Sequence, residues 1–473
     1  MASYTTEVIQ SLPYYRVPVG QELIFGLSCD LCVAQEQNVK FCFDISVQRI
    51  SGQQIEIGIF KTTPNNTGVG FLDISTLLNS YVSADNTACS DSTFKHQGAA
   101  DQPFPIHNID HYSRADNSIT FFWINGYTEY TDSSGTIAQT SQVTTGNGLI
   151  INGYIKQTDL IKFSTDSPTG GAYGFSASLL EDHRPIQNTD GAKFYTNSPS
   201  TLYARLKDYG TLSFSIHLNG VMYYQVDMYN SSDSLLDTYT IERSEWNGAF
   251  DGTYAIPISG RILYIGAFPA NLIVNDNFND QKDDMAYYTI GLYDQNDVLI
   301  SEVKRIDILC PNLKNYEPIR LTWLNQFGTW DYFTFNQKSV KQISTKGTTY
   351  QQLGGSWNQK KNRPYGYKGG KKSFRVNASE TIKMNTDYLT EEHSEWFEEL
   401  INSPEIYILK ERSGQRQYNS GYDTSYPTPT LNQYATPCTL KTTSFTKKTV
   451  ANDKLIQYTF EVEKSRNLRT QAI

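Results

Sequence analysis

Residues 320–335 read RLTWLNQFGTWDYFTF. The stretch predicts two strands joined by a turn over residues 325–328, in which a glycine is free to take a positive φ. Alternate side chains of a strand point to opposite sides, and large rings occupy both sides after the turn, so the second strand is expected to be buried on both faces. The rings either pack between two layers of their own domain or place one face against another subunit. The candidate core or subunit-interface residues are Trp323, Leu324, Asn325, Phe327, Gly328, Trp330, Tyr332 and Phe335.

The composition extends this β character to the whole chain. Aromatic residues make up 13% of the 473 residues, and 33 of them are tyrosines. Aromatic and β-branched side chains suit pleated sheets, and Asn and Gly suit tight turns, so we predict a mainly β protein with β-sandwich or barrel-like domains. The length exceeds that of a single core and predicts several domains. We expect an N-terminal β domain over 1–145, a central β-sandwich region over 146–320 and a C-terminal α+β domain over 321–473.

Local patterns predict individual strands. Residues 54–60 alternate Ile with polar residues or Gly, as a half-buried strand does, and we expect this strand to pair with residues 41–50. Asn219-Gly220 between alternating apolar residues predicts a hairpin over 214–223, and a polar turn predicts another over 287–300. Residues 131–147 and 275–284 are polar and predict long loops.

The C-terminal domain is expected to contain the one clear helix. Residues 389–401 place Trp396 and Phe397 on one face, with Thr390 as a candidate cap, so the helix should pack flat on a sheet. Strands are predicted over 405–409 and at the alternating apolar positions of 456–462.

Residues 338–375 contain ten Lys or Arg residues, no acidic residue and five aromatic residues. Three interpretations stay open: a solvated charged loop, a contact with an acidic neighbouring subunit, or a contact with DNA, in which cations bind phosphates and rings stack on bases. The glycines favour a mobile extension over a rigid groove. The candidate basic contact residues are Lys360, Lys361, Arg363, Lys368, Lys371 and Lys372.

No motif indicates catalysis, a metal or a cofactor. Cys29 and Cys32 have the spacing of half a zinc site, and His107 and His111, four residues apart, could complete it, but more than 70 residues separate the two pairs. Buried, reduced thiols are therefore the favoured interpretation of the six cysteines, without a disulfide framework. Residues 170–178 lack the features of a phosphate loop or a nucleophile elbow. Acidic pairs of glycosidase type have no sequence signature, and scattered surface acids are favoured.

The net charge of −9 is modest for this length and indicates no global attraction to nucleic acid or membrane. No apolar run is long enough to span a membrane, and the N-terminus lacks the pattern of a signal peptide. We therefore expect synthesis in a cytoplasm.

Four short motifs resemble tail proteins of crAss-like and related phages of Bacteroidetes. The turn at 324–331 is similar to their Leu-Asn-x-(aromatic or Leu)-Gly-small-Trp-acid motif, although Thr329 replaces the usual small residue. Residues 71–82 resemble their Asp-(Ile or Leu)-Ser segment, 396–409 resemble their C-terminal helix and strand, and 441–463 resemble their final strand pair with a turn at 452–454. Residues 100–290 match no pattern of the family.

The resemblance implies a virion component of the tail, near the hub or its surrounding rings, that works by assembly without catalytic residues. The expected partners are copies of itself in a ring and other hub, ring, portal-proximal or fibre proteins, with genomic DNA contacted during ejection. The alternative function is a receptor- or carbohydrate-binding adhesin, in which tyrosines and Asn-rich loops contact sugars.

Overall fold

The protein is mainly β. The computed structural model describes residues 4–11, 16–48, 53–85, 112–114, 117–154, 156, 194–215, 221–242, 262–273, 275–309, 315–356, 360–361, 363–410, 435–449, 456–466 and 468. Strands predominate in these residues, and the α-helices are short. None of the helices in this part of the chain has the length and apolar character needed to cross a membrane.

The strands are β1 (Glu7–Gln10), β2 (Arg16–Pro18), β3 (Ile24–Ser28), β4 (Gln37–Gln48), β5 (Gln54–Thr62), β6 (Val69–Asp73), β7 (Tyr112–Arg114), β8 (Ile119–Thr131), β9 (Ile137–Gln139), β10 (Val143–Ile151), β11 (Thr201–Ala204), β12 (Thr211–Ser215), β13 (Tyr223–Tyr229), β14 (Leu235–Glu242), β15 (Ile262–Gly266), β16 (Tyr287–Tyr293), β17 (Lys304–Ile308), β18 (Ile319–Leu324), β19 (Trp330–Phe335), β20 (Val340–Gln352), β21 (Gly355–Ser356), β22 (Arg363–Pro364), β23 (Gly370–Asn385), β24 (Ile406–Leu409), β25 (Ala435–Leu440) and β26 (Thr459–Lys464). The helices are α1 (Asp30–Gln35), α2 (Ser75–Leu78), α3 (Pro269–Leu272), α4 (Asp276–Gln281) and α5 (Glu391–Asn402), with a 3-10 turn at Asn79–Tyr81.

The chain forms two compact units. The first comprises Met1–Cys310, Leu324–Tyr332 and Glu411–Leu431, and the second comprises Pro311–Trp323, Phe333–Lys410 and Asn432–Ile473. The predicted division into domains at 145 and 320 stays a prediction.

Two sheets share the N-terminal core of the first unit. One has the strand order β1-β3-β6, and the other has the order β2-β10-β8-β4-β5, with β9 beside β8. Phe25 of the small sheet meets Phe122 of the large sheet at 6.4 Å in an edge-to-face arrangement, and Phe41, Phe43 and Ile45 fill the space around them. The predicted strand at 54–60 and its pairing with 41–50 are confirmed, because β5 and β4 pair antiparallel.

Two further sheets build the rest of the first unit, with the orders β11-β17-β16-β13-β14 and β12-β15-β7. The predicted hairpin over 287–300 is confirmed: Asp294 and Val298 close its turn, and Tyr293 pairs with Leu299. The predicted hairpin over 214–223 is wrong, because β12 pairs with β15 whereas β13 pairs with β14 and β16. Its turn at 219–220 lies outside the described residues. Alternating apolar residues show that one face of a strand is buried, but they do not identify its partner.

The two segments that were predicted to be long loops contain regular secondary structure instead. Residues 131–147 contain β9 and the start of β10, and residues 275–284 contain α4. The side chain of Asn275 caps α4 by accepting hydrogen bonds from the backbone N–H groups of Asn277 and Phe278. The single ring of Phe278 anchors this polar helix, since it is buried against Tyr239 and Tyr288. The polar composition of this segment therefore predicted a loop, although one buried ring is enough to anchor a short helix there.

The second unit is built on a seven-stranded sheet with the order β19-β18-β24-β25-β26-β23-β20. The predicted helix is confirmed as α5, and it packs on this sheet as expected. Trp396 of α5 meets Trp323 at 4.9 Å, and Phe397 meets Phe333 at 4.9 Å and Phe460 at 5.3 Å. The predicted strands at 405–409 and 456–462 are confirmed by β24, by the buried alternation from Ile456 to Val462, and by β26. The turn predicted at 452–454 lies outside the described residues.

Candidate interaction site

The eight candidate core or interface residues lie in the β18–β19 hairpin. The chain itself buries their side chains: Trp323 and Phe335 are fully buried, and the most exposed of the set, Leu324, is 9% accessible. Gly328 has φ +74°, as the predicted turn requires. A hairpin buried in this way has a structural role within its own chain.

The Asn325 side chain holds the turn of this hairpin together. Its Oδ1 accepts hydrogen bonds from the backbone N–H groups of Phe327 and Thr329 at 3.0 and 3.1 Å. Its Nδ2 donates to the Tyr195 carbonyl at 2.9 Å and to Asp331 at 3.1 Å. This amide uses both its oxygen and its nitrogen, so the buried turn leaves its polar groups satisfied.

The basic segment forms a long antiparallel hairpin and not the predicted loop, whereas its mobility stays a prediction. β20 pairs with β23 along its whole length, from Val340 opposite Lys383 to Gln352 opposite Gly370. Gly369 and Gly370 both have positive φ where β23 begins. These two glycines therefore shape the backbone where β23 begins. We call residues 338–376 the arm.

Most of the arm is two-stranded. β26 pairs with β23 only at Thr381–Asn385, and a single bridge joins Ala378 to Leu468 further out. Within the described residues, β20 is an edge strand whose second edge has no neighbour. Residues 343–352 of β20 extend roughly 30 Å at the usual rise of a strand.

The two faces of the arm differ in chemistry. Opposed residues of a hairpin share a face, so the pairing of Thr348 with Arg375 and of Tyr350 with Lys372 places these four side chains on one side, together with Lys346. Tyr350 meets Phe374 edge to face at 6.4 Å on this side. We call this side the basic face.

The opposite side carries exposed aliphatic side chains, and we call it the aliphatic face. Ile343 is 62% accessible and Val376 is 48% accessible. The register places both on this face, with Ala378 between them across the strand pair. The register also places Lys341 and Lys371 on the aliphatic face, so the positive charge of the arm is not confined to the basic face.

The six candidate basic residues all lie on the arm, and all are exposed. Lys371 and Lys372 belong to β23 and Arg363 to β22, whereas the others lie between the strands: Lys360, Lys361 and Lys368. Lys368 lies 5.1 Å from the centre of the Tyr365 ring, within cation–π range. In the part of the chain that the structure describes, no carboxylate forms an ion pair with Lys346, Lys372 or Arg375. The positive charge of the basic face is therefore available to a partner.

The first cysteine pair corrects the expectation of reduced thiols. Cys29 and Cys32 are joined by a disulfide, which leaves neither sulfur available as a thiolate ligand. Cys42 and Cys438 are free and buried, as expected. His107, His111, residues 170–178 and the other two cysteines, Cys89 and Cys310, lie outside the described residues. Among the residues that are described, no group of His, Cys, Asp and Glu could hold a metal ion.

A row of tyrosines on the five-stranded sheet was not recognised as a surface from the sequence. Tyr223 stacks on Tyr293 at 5.2 Å, and Tyr229 stacks on Tyr287 at 4.9 Å, all four being half-buried. The Arg305 guanidinium continues the second stack, 3.5 Å from the centre of the Tyr287 ring. We call these five side chains the tyrosine face. Its signal is visible in the sequence, since the tyrosines stand at outward-facing positions of strands in which the alternate residues are buried.

Aspartates in turns hold the outer hydroxyl groups of this face. Tyr223 donates a hydrogen bond to Asp297 at 2.8 Å, and Tyr287 donates to Asp233 at 3.0 Å. Desolvation and the bond to Asp297 raise the pKa of Tyr223 to about 12. These hydroxyls therefore stay protonated as fixed polar groups at neutral pH.

No protein-family model matches the sequence, and no curated protein matches it.

Proposed function

We propose that this chain is a structural component of a bacteriophage tail. It is a hub or ring protein, made in the host cytoplasm, that acts by oligomeric assembly around the tail axis and not by catalysis. Other hub, ring, portal-proximal or fibre proteins are its partners in the virion. The resemblance of four short motifs to tail proteins of crAss-like phages supports this role.

The observation that carries the proposal is the exposed arm. An isolated two-stranded hairpin is marginally stable in water, and a long free edge invites pairing with another chain. Such an arm suits a protein that works inside an assembly, because a neighbouring subunit can cover the edge and both faces. The arm is anchored in the chain through its strands β20 and β23, which lie at one end of the seven-stranded sheet.

Quantitative mass spectrometry of purified phage particles tests the proposal. The copy number of this chain is measured relative to the major capsid and portal proteins of the same particles. A low, fixed number commensurate with the portal ring supports a hub or ring position. Absence of the chain from purified particles would overturn the proposal.

The tyrosine face favours a second candidate function, binding of a host receptor or glycan. Rows of aromatic rings bordered by hydrogen-bonding groups are suited to sugars, which present both apolar faces and hydroxyls. Glycan-array binding by the purified chain would support this function if Tyr229→Ala removed the signal and the exposed Tyr388→Ala did not. Equal signals from both variants would count against it.

A further inference from the structure

We infer that the arm docks on a second copy of this chain. The inference rests on the proposed function, since it names the partner that the arm meets during assembly. Three features of the arm carry it: its charge relative to the rest of the chain, its exposed aliphatic face and its free edge.

The first feature is charge complementarity within one sequence. The arm holds ten Lys or Arg residues and no acidic residue, whereas the rest of the chain holds 30 Lys or Arg and 49 Asp or Glu, a net charge of −19. A second copy of the chain therefore presents the arm with a partner of opposite sign. Complementary charge steers two subunits together and selects their orientation.

The second feature is the aliphatic face, which favours a protein as the partner. Ile343 and Val376 expose large apolar areas to solvent. Burial of such surface releases about 25 cal/mol per Å². The sugar-phosphate backbone of a nucleic acid offers no apolar surface to cover it. Nucleic acid would contact the lysines and arginines of the arm and would leave Ile343 and Val376 in water.

The third feature is the outer edge of β20, beside which no strand lies in the described part of the chain. Its backbone N–H and C=O groups can pair with a strand of another chain, and a strand addition of this kind uses main-chain hydrogen bonds that nucleic acid cannot supply. Lys346 on this strand opposes indiscriminate pairing between like edges, because two arms brought edge to edge would repel each other. The favoured partner is therefore the acidic remainder of a second copy and not a second arm.

The test measures self-association of the full chain by sedimentation velocity, over about 1 to 100 µM protein and at low and high salt. We expect a reversible oligomer that weakens as salt rises, because charge pairs at an interface are screened. The Lys346→Glu/Lys372→Glu variant should weaken association by at least about tenfold. The matched control is Lys40→Glu/Lys410→Glu, which changes the net charge equally at exposed positions outside the arm and should associate like the parent.

Zero-length crosslinking adds a measurement that does not depend on a variant. An equal mixture of ¹⁴N- and ¹⁵N-labelled chains is crosslinked between amines and carboxylates and analysed by mass spectrometry. The inference predicts mixed-isotope crosslinks from arm lysines to acidic residues outside the arm. Arm crosslinks found only within one copy would overturn it.

Three other results would also overturn the inference. They are a monomer under every condition, an oligomer that the arm variant leaves unchanged, and a monomer whose arm binds single-stranded oligo(dT) instead. The two proposals fail separately. A chain present in particles but monomeric when purified removes only the inference, and a self-associating chain absent from particles removes the tail function.

Discussion

Gly328 lies so close to Asn152 that a Cβ atom on Gly328 would be 1.9 Å from the Asn152 carbonyl oxygen. The contact is with backbone, which cannot rotate away as a flexible side chain can. Gly328 also has φ +74°, a region that costs an L-residue about 1–2 kcal/mol. We predict that Gly328→Ala lowers the free energy of unfolding by at least about 2 kcal/mol, measured by urea denaturation.

Gly366→Ala is the matched control for this substitution. A Cβ at Gly366 meets no atom within 4 Å, and its φ is not in the left-handed region. Its stability should lie within about 0.5 kcal/mol of the parent, as for most surface changes. Similar losses from the two variants would contradict the close approach at Gly328.

Asn325→Ala should lower the free energy of unfolding by about 3 kcal/mol. The substitution removes the hydrogen bonds made by the oxygen and by the nitrogen of a buried side-chain amide, and it leaves their partners unsatisfied. Asn325→Asp keeps the accepting oxygen but loses the donor to Tyr195 and sets a second carboxylate beside Asp331. It should therefore also destabilise. The exposed Asn296→Ala is the control and should be nearly neutral. Retained stability in Asn325→Asp would show that the donated bonds contribute little.

The fold class and several elements were predictable from the sequence because they depend on local patterns. Thr390 precedes a helix whose apolar residues share one face, and Asn325 and Gly328 indicate their turn by residue type alone. Strand partners were not predictable at Asn219-Gly220, since the pairing of β12 with β15 joins segments that are distant in sequence. Hydrophobic alternation contains no information on which distant strand completes a sheet.

The composition of the sequence identified the basic segment as a candidate site, but it did not predict the secondary structure of that segment. The charges and glycines around Lys371 predicted a loop, whereas the segment forms a pair of antiparallel strands. Burial does not mark β20 as a strand, because almost all its residues are exposed and no period of buried residues exists. The tyrosine face was missed for a related reason: Tyr223 and Tyr293 become neighbours only through the register of β13 with β16.

The cysteines predict a specific alkylation pattern. Cys29 and Cys32 should resist iodoacetamide without a reductant, because they are joined in a disulfide, and because both are buried they should react only after reduction and denaturation. Burial raises the pKa of the Cys438 thiol to about 12 and also raises the pKa of Cys42, and the thiolate is the reactive form. These two should therefore resist alkylation in the folded chain, even with reductant, and react after denaturation. Peptide mass spectrometry before and after each treatment reads the pattern, and labelling of Cys29 without reductant would contradict it.

His393 should make the second unit sensitive to acid. Burial beside Phe333 and Trp396 lowers the pKa of His393 to about 4, against an ordinary value near 6.5 in the unfolded chain. Between these values the unfolded chain binds a proton that the folded chain does not, so stability falls as pH falls from about 6.5 to 4. The loss due to this group approaches about 3 kcal/mol at pH 4.

His393→Gln separates this effect from the titration of carboxylates. The variant loses packing at every pH, so its free energy of unfolding at pH 7.5 should lie below that of the parent. Above pH 7 the difference in free energy of unfolding between the two proteins should be constant. As pH falls toward 4 the parent loses the contribution of the neutral imidazole and the variant has none to lose, so the two urea midpoints should converge. Because the carboxylates titrate alike in both proteins, only His393 can narrow the gap. A gap that stays constant from pH 7.5 to 4 would show that the imidazole has the same pKa in the folded and unfolded chains, and would contradict the prediction.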